Sequence, residues 1–167
     1  MIFNFSNTIL FFTALFTALM AGLFYSWSCS VTLGLSKLTD REYISAMQYL
    51  NREIQNPVFF ISFFGAAILL PICSYMQYNQ LLTAKFYLIL SATIIYLAGV
   101  MAVTILGNIP LNQTLDKFNL TNATLAEIAK QRIAFEVKWN NLNMIRTVAS
   151  IFSLILILIA CICKTNK

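Results

Sequence analysis

The chain has 167 residues, of which 59% are hydrophobic and only 10% charged, with a net charge of +5 and no histidine. Soluble domains carry about 25% charged residues, so this composition excludes one and leaves room for a single membrane domain, residues 1–167, without a separate soluble unit. The missing histidine removes the commonest metal ligand and general base, so no metal and no cofactor is expected. The thinly spread Lys and Arg present no nucleic-acid surface and suit lipid headgroups instead.

The first apolar segment, residues 8–30, is long enough to cross about 30 Å of hydrocarbon and lacks the basic start of a leader, so it reads as an uncleaved span. Its far end mixes Tyr25 and Trp27 with Ser26, Ser28, Cys29 and Ser30, which suits an interfacial belt and close helix packing. Thr39-Asp-Arg-Glu42 then has the form of a capping box, followed by Tyr43, Met47, Leu50 and Ile54 at helical spacing. An amphipathic helix over 40–54 is expected, with Arg41, Gln48 and Arg52 facing water.

Asn56 and Pro57 read as the N-cap and first turn of a second span, 57–76, in which Pro71 is expected to bend the helix or end it early. A short connection makes the third span, 86–107, its antiparallel neighbour. Asn108-Ile-Pro-Leu-Asn112 follows, and Pro110 predicts a break near Gly107 or Asn108 that leaves carbonyls for the amides to satisfy. The second loop repeats the design of the first. Thr124-Leu-Ala-Glu127 is another capping box, placed before Ile128, Arg132, Phe135 and Trp139, so an amphipathic helix over 124–142 should precede the last span, 144–163. The expected fold is all-α: an integral membrane four-helix bundle, multi-pass, with amphipathic helices in the two long loops on one membrane face.

Four spans in series bring the end of the first, the start of the second, the end of the third and the start of the fourth to one face. Ser26, Ser28, Asn56, Asn108, Asn112, Asn143 and Arg146 all belong to those ends. Trp139-Asn-Asn-Leu-Asn143-Met-Ile-Arg146-Thr147 stands directly before the uncharged run 148–163, and a bare guanidinium in hydrocarbon costs roughly 2.5 kcal/mol or more. Arg146 therefore needs acceptors, and helical spacing places Asn143 and Trp139 on its face. A ligand pocket with aromatic walls, rimmed by Asn108, Asn112, Trp139, Asn143 and Arg146, is one reading. In the other, Asn108 and Asn112 satisfy broken backbone, Trp139 is a belt anchor and Arg146 snorkels to headgroups. For Asn56 the capping role is preferred.

Asn56-Pro-Val-Phe-Phe60, Asn108-Ile-Pro-Leu-Asn112 and Trp139-Asn-Asn-Leu-Asn143-Met-Ile-Arg146-Thr147, with Ala21-Gly-Leu-Phe-Tyr25 and Tyr43-Ile-Ser-Ala-Met47, resemble the anthrone oxygenase-like family of small four-span membrane proteins. The resemblance covers nearly the whole chain. It implies the four-span fold and, by analogy with a few fungal members, oxidation of an anthrone to an anthraquinone by dioxygen without an evident cofactor. It supplies no catalytic residues. Without histidine, a base would be a carboxylate such as Asp116 or Glu136, or a water held by Asn143.

Two functions follow as expectations. The first is cofactor-free oxygenase chemistry on a lipophilic anthrone, quinol or phenol, with Arg146 and the amides stabilising an enolate. The second is a non-enzymatic lipid- or quinone-binding protein, or a scaffold subunit of a homo-oligomer or larger membrane complex, using small residues such as Ala18, Gly22, Ala92 and Gly99 for close helix contact. A transporter is disfavoured, since no buried acid is present to couple an ion gradient.

Overall fold

The computed structural model describes residues 5–78 and 83–163. They form five helices and no strand: α1 Phe5–Leu35, α2 Asp40–Glu53, α3 Pro57–Tyr78, α4 Ala84–Asp116 and α5 Leu125–Ile162. Four of these, α1, α3, α4 and α5, are long and apolar enough to cross a membrane. They pack as a closed ring in which α1 and α4 each touch both α3 and α5. The all-α expectation and the antiparallel pairing of the second and third long helices hold.

The ring closes around Met20, Phe24, Phe63, Leu70, Tyr96 and Ile157, all buried. Small side chains set the helix spacing. A Cβ at Gly99 would collide with that of Ala149, and one at Gly65 would meet the Phe16 ring at 2.5 Å. Hydroxyls inside the bundle find partners, as they must where no water competes. Ser74 and Thr93 lie 2.9 Å apart, and Ser153 donates to the Ala92 carbonyl.

α2 lies across one end of the ring. Tyr43, Ile44 and Met47 pack there with Leu115 and with Ile128, Phe135 and Trp139 of α5. Both capping boxes form: Thr39 and Thr124 each accept from the backbone of a glutamate three residues on, whose carboxylate binds back. Those bonds from the Thr39 hydroxyl and backbone hold the Glu42 carboxyl below its ordinary range. The buried stripe of α2 differs from the expected one, because Ile44 and Asn51 face inward while Leu50 is exposed. Gln48 does not face water. It donates to the carbonyls of Leu115 and Phe118 at the end of α4, at 2.8 and 2.9 Å.

Arg132 ties the two loops together. It donates to the Leu38 and Ser36 carbonyls, pairs with Asp40 at 3.0 Å and Glu136 at 2.7 Å, and lies over the Tyr43 ring. Of the bend or early end expected at Pro71, the early end is overturned, since α3 runs through it to Tyr78. α4 does not break at Asn108; it passes through π-helical turns at Leu97–Ala102 and Thr104–Asn108, and Pro110 falls where the second of these returns to α-helix. The loop helix over 124–142 and the last span form one continuous helix, in keeping with the single face expected for Trp139, Asn143 and Arg146, because nothing between Trp139 and Thr147 interrupts helical hydrogen bonding.

Candidate functional site

Three helical stretches with widened turns each pack against α5. Trp27–Val31 of α1 is π-helical, as are the two segments of α4. One extra residue per turn rotates the side chains that follow relative to those before, and such turns recur at functional sites. Here they aim Trp27, Ser28, Thr104 and Asn108 inward.

A cavity of about 450 Å³ opens at the α2 end of the bundle. Its aromatic walls come from Phe24 and Trp27 of α1, Phe59 and Phe63 of α3, and Trp139 of α5. Trp27 and Trp139 have ring centroids 4.9 Å apart. All five residues singled out from the sequence line it: Asn108, Asn112, Trp139, Asn143 and Arg146.

Their bonding separates them into distinct roles. Asn143, 1% exposed, donates to Ser28 Oγ at 2.8 Å and to the Phe24 carbonyl at 3.4 Å. Its side-chain oxygen is thereby turned towards Arg146, whose Nη2 donates to it at 2.8 Å. Thr147 braces the same corner by bonding to the Phe24 carbonyl and lying 2.8 Å from Ser28 Oγ. Asn112 accepts from Trp139 Nε1 at 2.9 Å. That bond fixes the indole, so Asn112 is a positioning group for Trp139 and not a repair for broken backbone.

Arg146 is 7% exposed and faces the Phe24 and Trp139 rings, with its guanidinium carbon 4.6 and 5.4 Å from their centroids. Its other bond is a long one, 3.5 Å, to Thr104 Oγ1, and Nε has no partner. Among the described residues it forms no ion pair: Asp116, the acid that lines the cavity, is taken by Arg52 at 2.6 Å. Asn108 is 1% exposed, and both its amide nitrogen and its oxygen are unpartnered. The cavity therefore presents a cation without a counter-charge and an amide without bonds, both against aromatic walls. Buried groups of this kind are costly unless something binds them.

Sequence reasoning missed Asn51, Thr104 and the α3 phenylalanines as parts of one site. Asn51 of α2 is buried, lines the cavity and leaves its Nδ2 unbonded. The signal was present: Asn51 stands one turn after Met47 on an otherwise apolar stripe. Of the two carboxylates considered as bases, Asp116 lines the cavity, whereas Glu136 does not.

A family model described as anthrone oxygenase matches residues 58–156, more than half of the chain. The chain belongs to the anthrone oxygenase family. The matched stretch contains Asn108, Asn112, Trp139, Asn143 and Arg146, while Trp27, Ser28 and Asn51 lie outside it. No curated protein and no solved structure matches the chain.

Proposed function

We propose that this family member is a multi-pass membrane protein whose cavity binds a lipophilic aromatic weak acid as its anion and hands it to dioxygen. The observation that supports this most directly is Arg146, buried without an acid partner beside the unbonded amide of Asn108. Fixed donors in a water-poor site favour negative charge on a bound oxygen. An anthrone or quinol-type ring would place its oxygen at Arg146 and Asn108, with its body against Trp27, Trp139 and Phe63.

The family's name supplies the reaction to be tested. Loss of a ring C–H proton gives an enolate whose negative oxygen is held by Arg146. Asp116, the carboxylate at the cavity, takes the proton. Dioxygen adds at the carbon, forming a C–O bond, and cleavage of the resulting peroxide O–O bond with loss of water leaves a carbonyl. The CH₂ group and dioxygen become C=O and H₂O, so no external reductant is needed.

The test begins with extraction in mild detergent, then absorption spectroscopy and mass spectrometry of whatever co-purifies with the wild type and with Arg146→Met. A polyaromatic or quinone species retained by the wild type and lost from the variant is expected. Turnover of a dihydroxyanthrone under air should persist with chelators present, and loss on chelation would exclude the cofactor-free route. If bulk phospholipid and partner proteins alone appear in both preparations, a scaffold role in a membrane complex replaces the oxygenase reading.

A further inference from the structure

Three of the four seams around the cavity are closed. Between α1 and α5, Ser28, Asn143 and Thr147 bond across the gap, with Trp27 against Trp139. Between α4 and α5 the Leu142 side chain fills the space at Gly107, where a Cβ would meet it at 2.8 Å. α1 and α3 pack along Phe5–Ser26, with Gly65 against the Phe16 ring, and the residues that line the cavity on this side, Leu23, Phe24, Phe59 and Phe63, are not exposed. The aqueous end is crossed by α2, which bonds to the end of α4 through Arg52–Asp116 and through Gln48, and exposed polar side chains border the cavity there.

The fourth seam differs. α3 packs against α4 along Ala84–Tyr96 and parts from it over the π-helical turns beyond. On either side of that gap stand two apolar pairs one turn apart, Phe60 and Phe64 on α3 and Ile105 and Ile109 on α4, which line the cavity and are also exposed on the outer surface of the bundle. Phe64 is 46% exposed and Ile105 52%. Residues that face both a cavity and the surroundings form an opening, and this one is bordered wholly by hydrocarbon. The aqueous mouth carries the polar groups Arg52, Gln55, Gln113 and Asp116.

Building on the ligand site proposed above, we infer that the ligand reaches Arg146 sideways from the bilayer, between α3 and α4. The site then takes amphiphiles whose acidic ring head sits at Arg146 while an alkyl or isoprenoid tail lies out between Phe64 and Ile105. A cavity of about 450 Å³ suits a ring system of drug-like size; a long tail has the bilayer for its solvent and costs nothing to leave there.

The chain's two tryptophans both line the cavity, so their fluorescence reports occupancy. The protein in lipid nanodiscs is mixed with lawsone, a hydroxynaphthoquinone anionic at neutral pH, or with its dodecyl-substituted derivative. Both should quench at equilibrium. The dodecyl probe should quench at a rate set by its mole fraction in lipid, and the double substitution Phe64→Ala and Ile105→Ala should raise that rate several-fold while Arg52→Ala leaves it unchanged. Retained equilibrium quenching by lawsone certifies the folded site in each variant, and Ile105→Ala alone serves if the double variant fails that check. Uptake indifferent to the α3–α4 variants but hastened by Arg52→Ala overturns the lateral route while leaving the site intact, as does failure of the dodecyl probe where lawsone binds. Quenching by neither probe removes the site and the route together.

Discussion

Arg146 and Asn108 are expensive residues to bury, each for a different reason. A guanidinium inside an apolar bundle needs charge or several acceptors, and Arg146 has one good acceptor in Asn143 and two aromatic faces. An unbonded amide costs about 1–3 kcal/mol, and Asn108 leaves both its polar atoms unbonded. Asn108→Leu should therefore raise the thermal midpoint of the empty protein in detergent, by an amount corresponding to about 1 kcal/mol or more, while weakening retention of an aromatic ligand. A lowered midpoint would show that the amide has a stabilising partner in the empty state and is not held in reserve. Asn143 differs, since its bonds to Ser28 and Phe24 make it part of the scaffold. The five sequence candidates were legible because helical spacing puts Trp139, Asn143 and Arg146 on one face; that Asn112 serves Trp139 whereas Asn108 is left free depends on the π turn before them.

At the scale of elements, α5 is the longest piece and joins the two halves of the site. Its first turns pack against α2, while its later turns carry Asn143 and Arg146 into the ring. Continuity between them matters, because a hinge would uncouple Trp139 from Arg146. Proline at exposed Asn141 should cost about 3 kcal/mol or more, the usual penalty of a helix interior; a hydrogen-exchange profile with no loss of protection around 137–145 would mean the helix is already interrupted there. Both capping boxes were readable from four-residue patterns, since capping is local chemistry. Thr124→Ala should destabilise the start of α5 by about 1 kcal/mol, seen as faster exchange confined to its first turn. The π turns were not readable, because an α-helix and a π-helix differ by one residue per turn and no composition rule separates them.

For the molecule as a whole, the α2 layer decides whether the cavity is capped. Arg132 carries much of that docking through carbonyls and carboxylates of both loops. Arg132→Met should cost on the order of 2 kcal/mol and expose the segment between α4 and α5 to protease at concentrations that leave the wild type intact. Tyr43 gives the same layer an alkaline limit. Burial raises its phenol above the ordinary value, helped by Glu136 and opposed by Arg132. The buried neutral phenol thus contributes fully below about pH 10, the ordinary tyrosine value, and that contribution is lost as pH rises from there towards the raised folded value. Tryptophan emission from Trp27 and Trp139, which pack under α2, should shift to the red on that rise and stay constant between pH 6 and about 9; a shift within the neutral range would assign the docking to another group.

The long apolar runs, the two capping boxes and the period of the Trp139 to Arg146 stretch depend on neighbours in the chain, so composition and spacing suffice to read the helices and one face of polar residues. Other features depend on how separate helices meet. Asn51 enters the site because docking selects the stripe of α2 through Tyr43, Ile44 and Met47 over the one through Leu50 and Ile54, and the α3 phenylalanines become a wall because α3 and α4 part beyond Tyr96. Arg146 is left without a carboxylate because Arg52, remote in sequence, holds Asp116, the acid at the cavity. Pairing and vacancy are properties of packing between distant segments, and no local pattern encodes them.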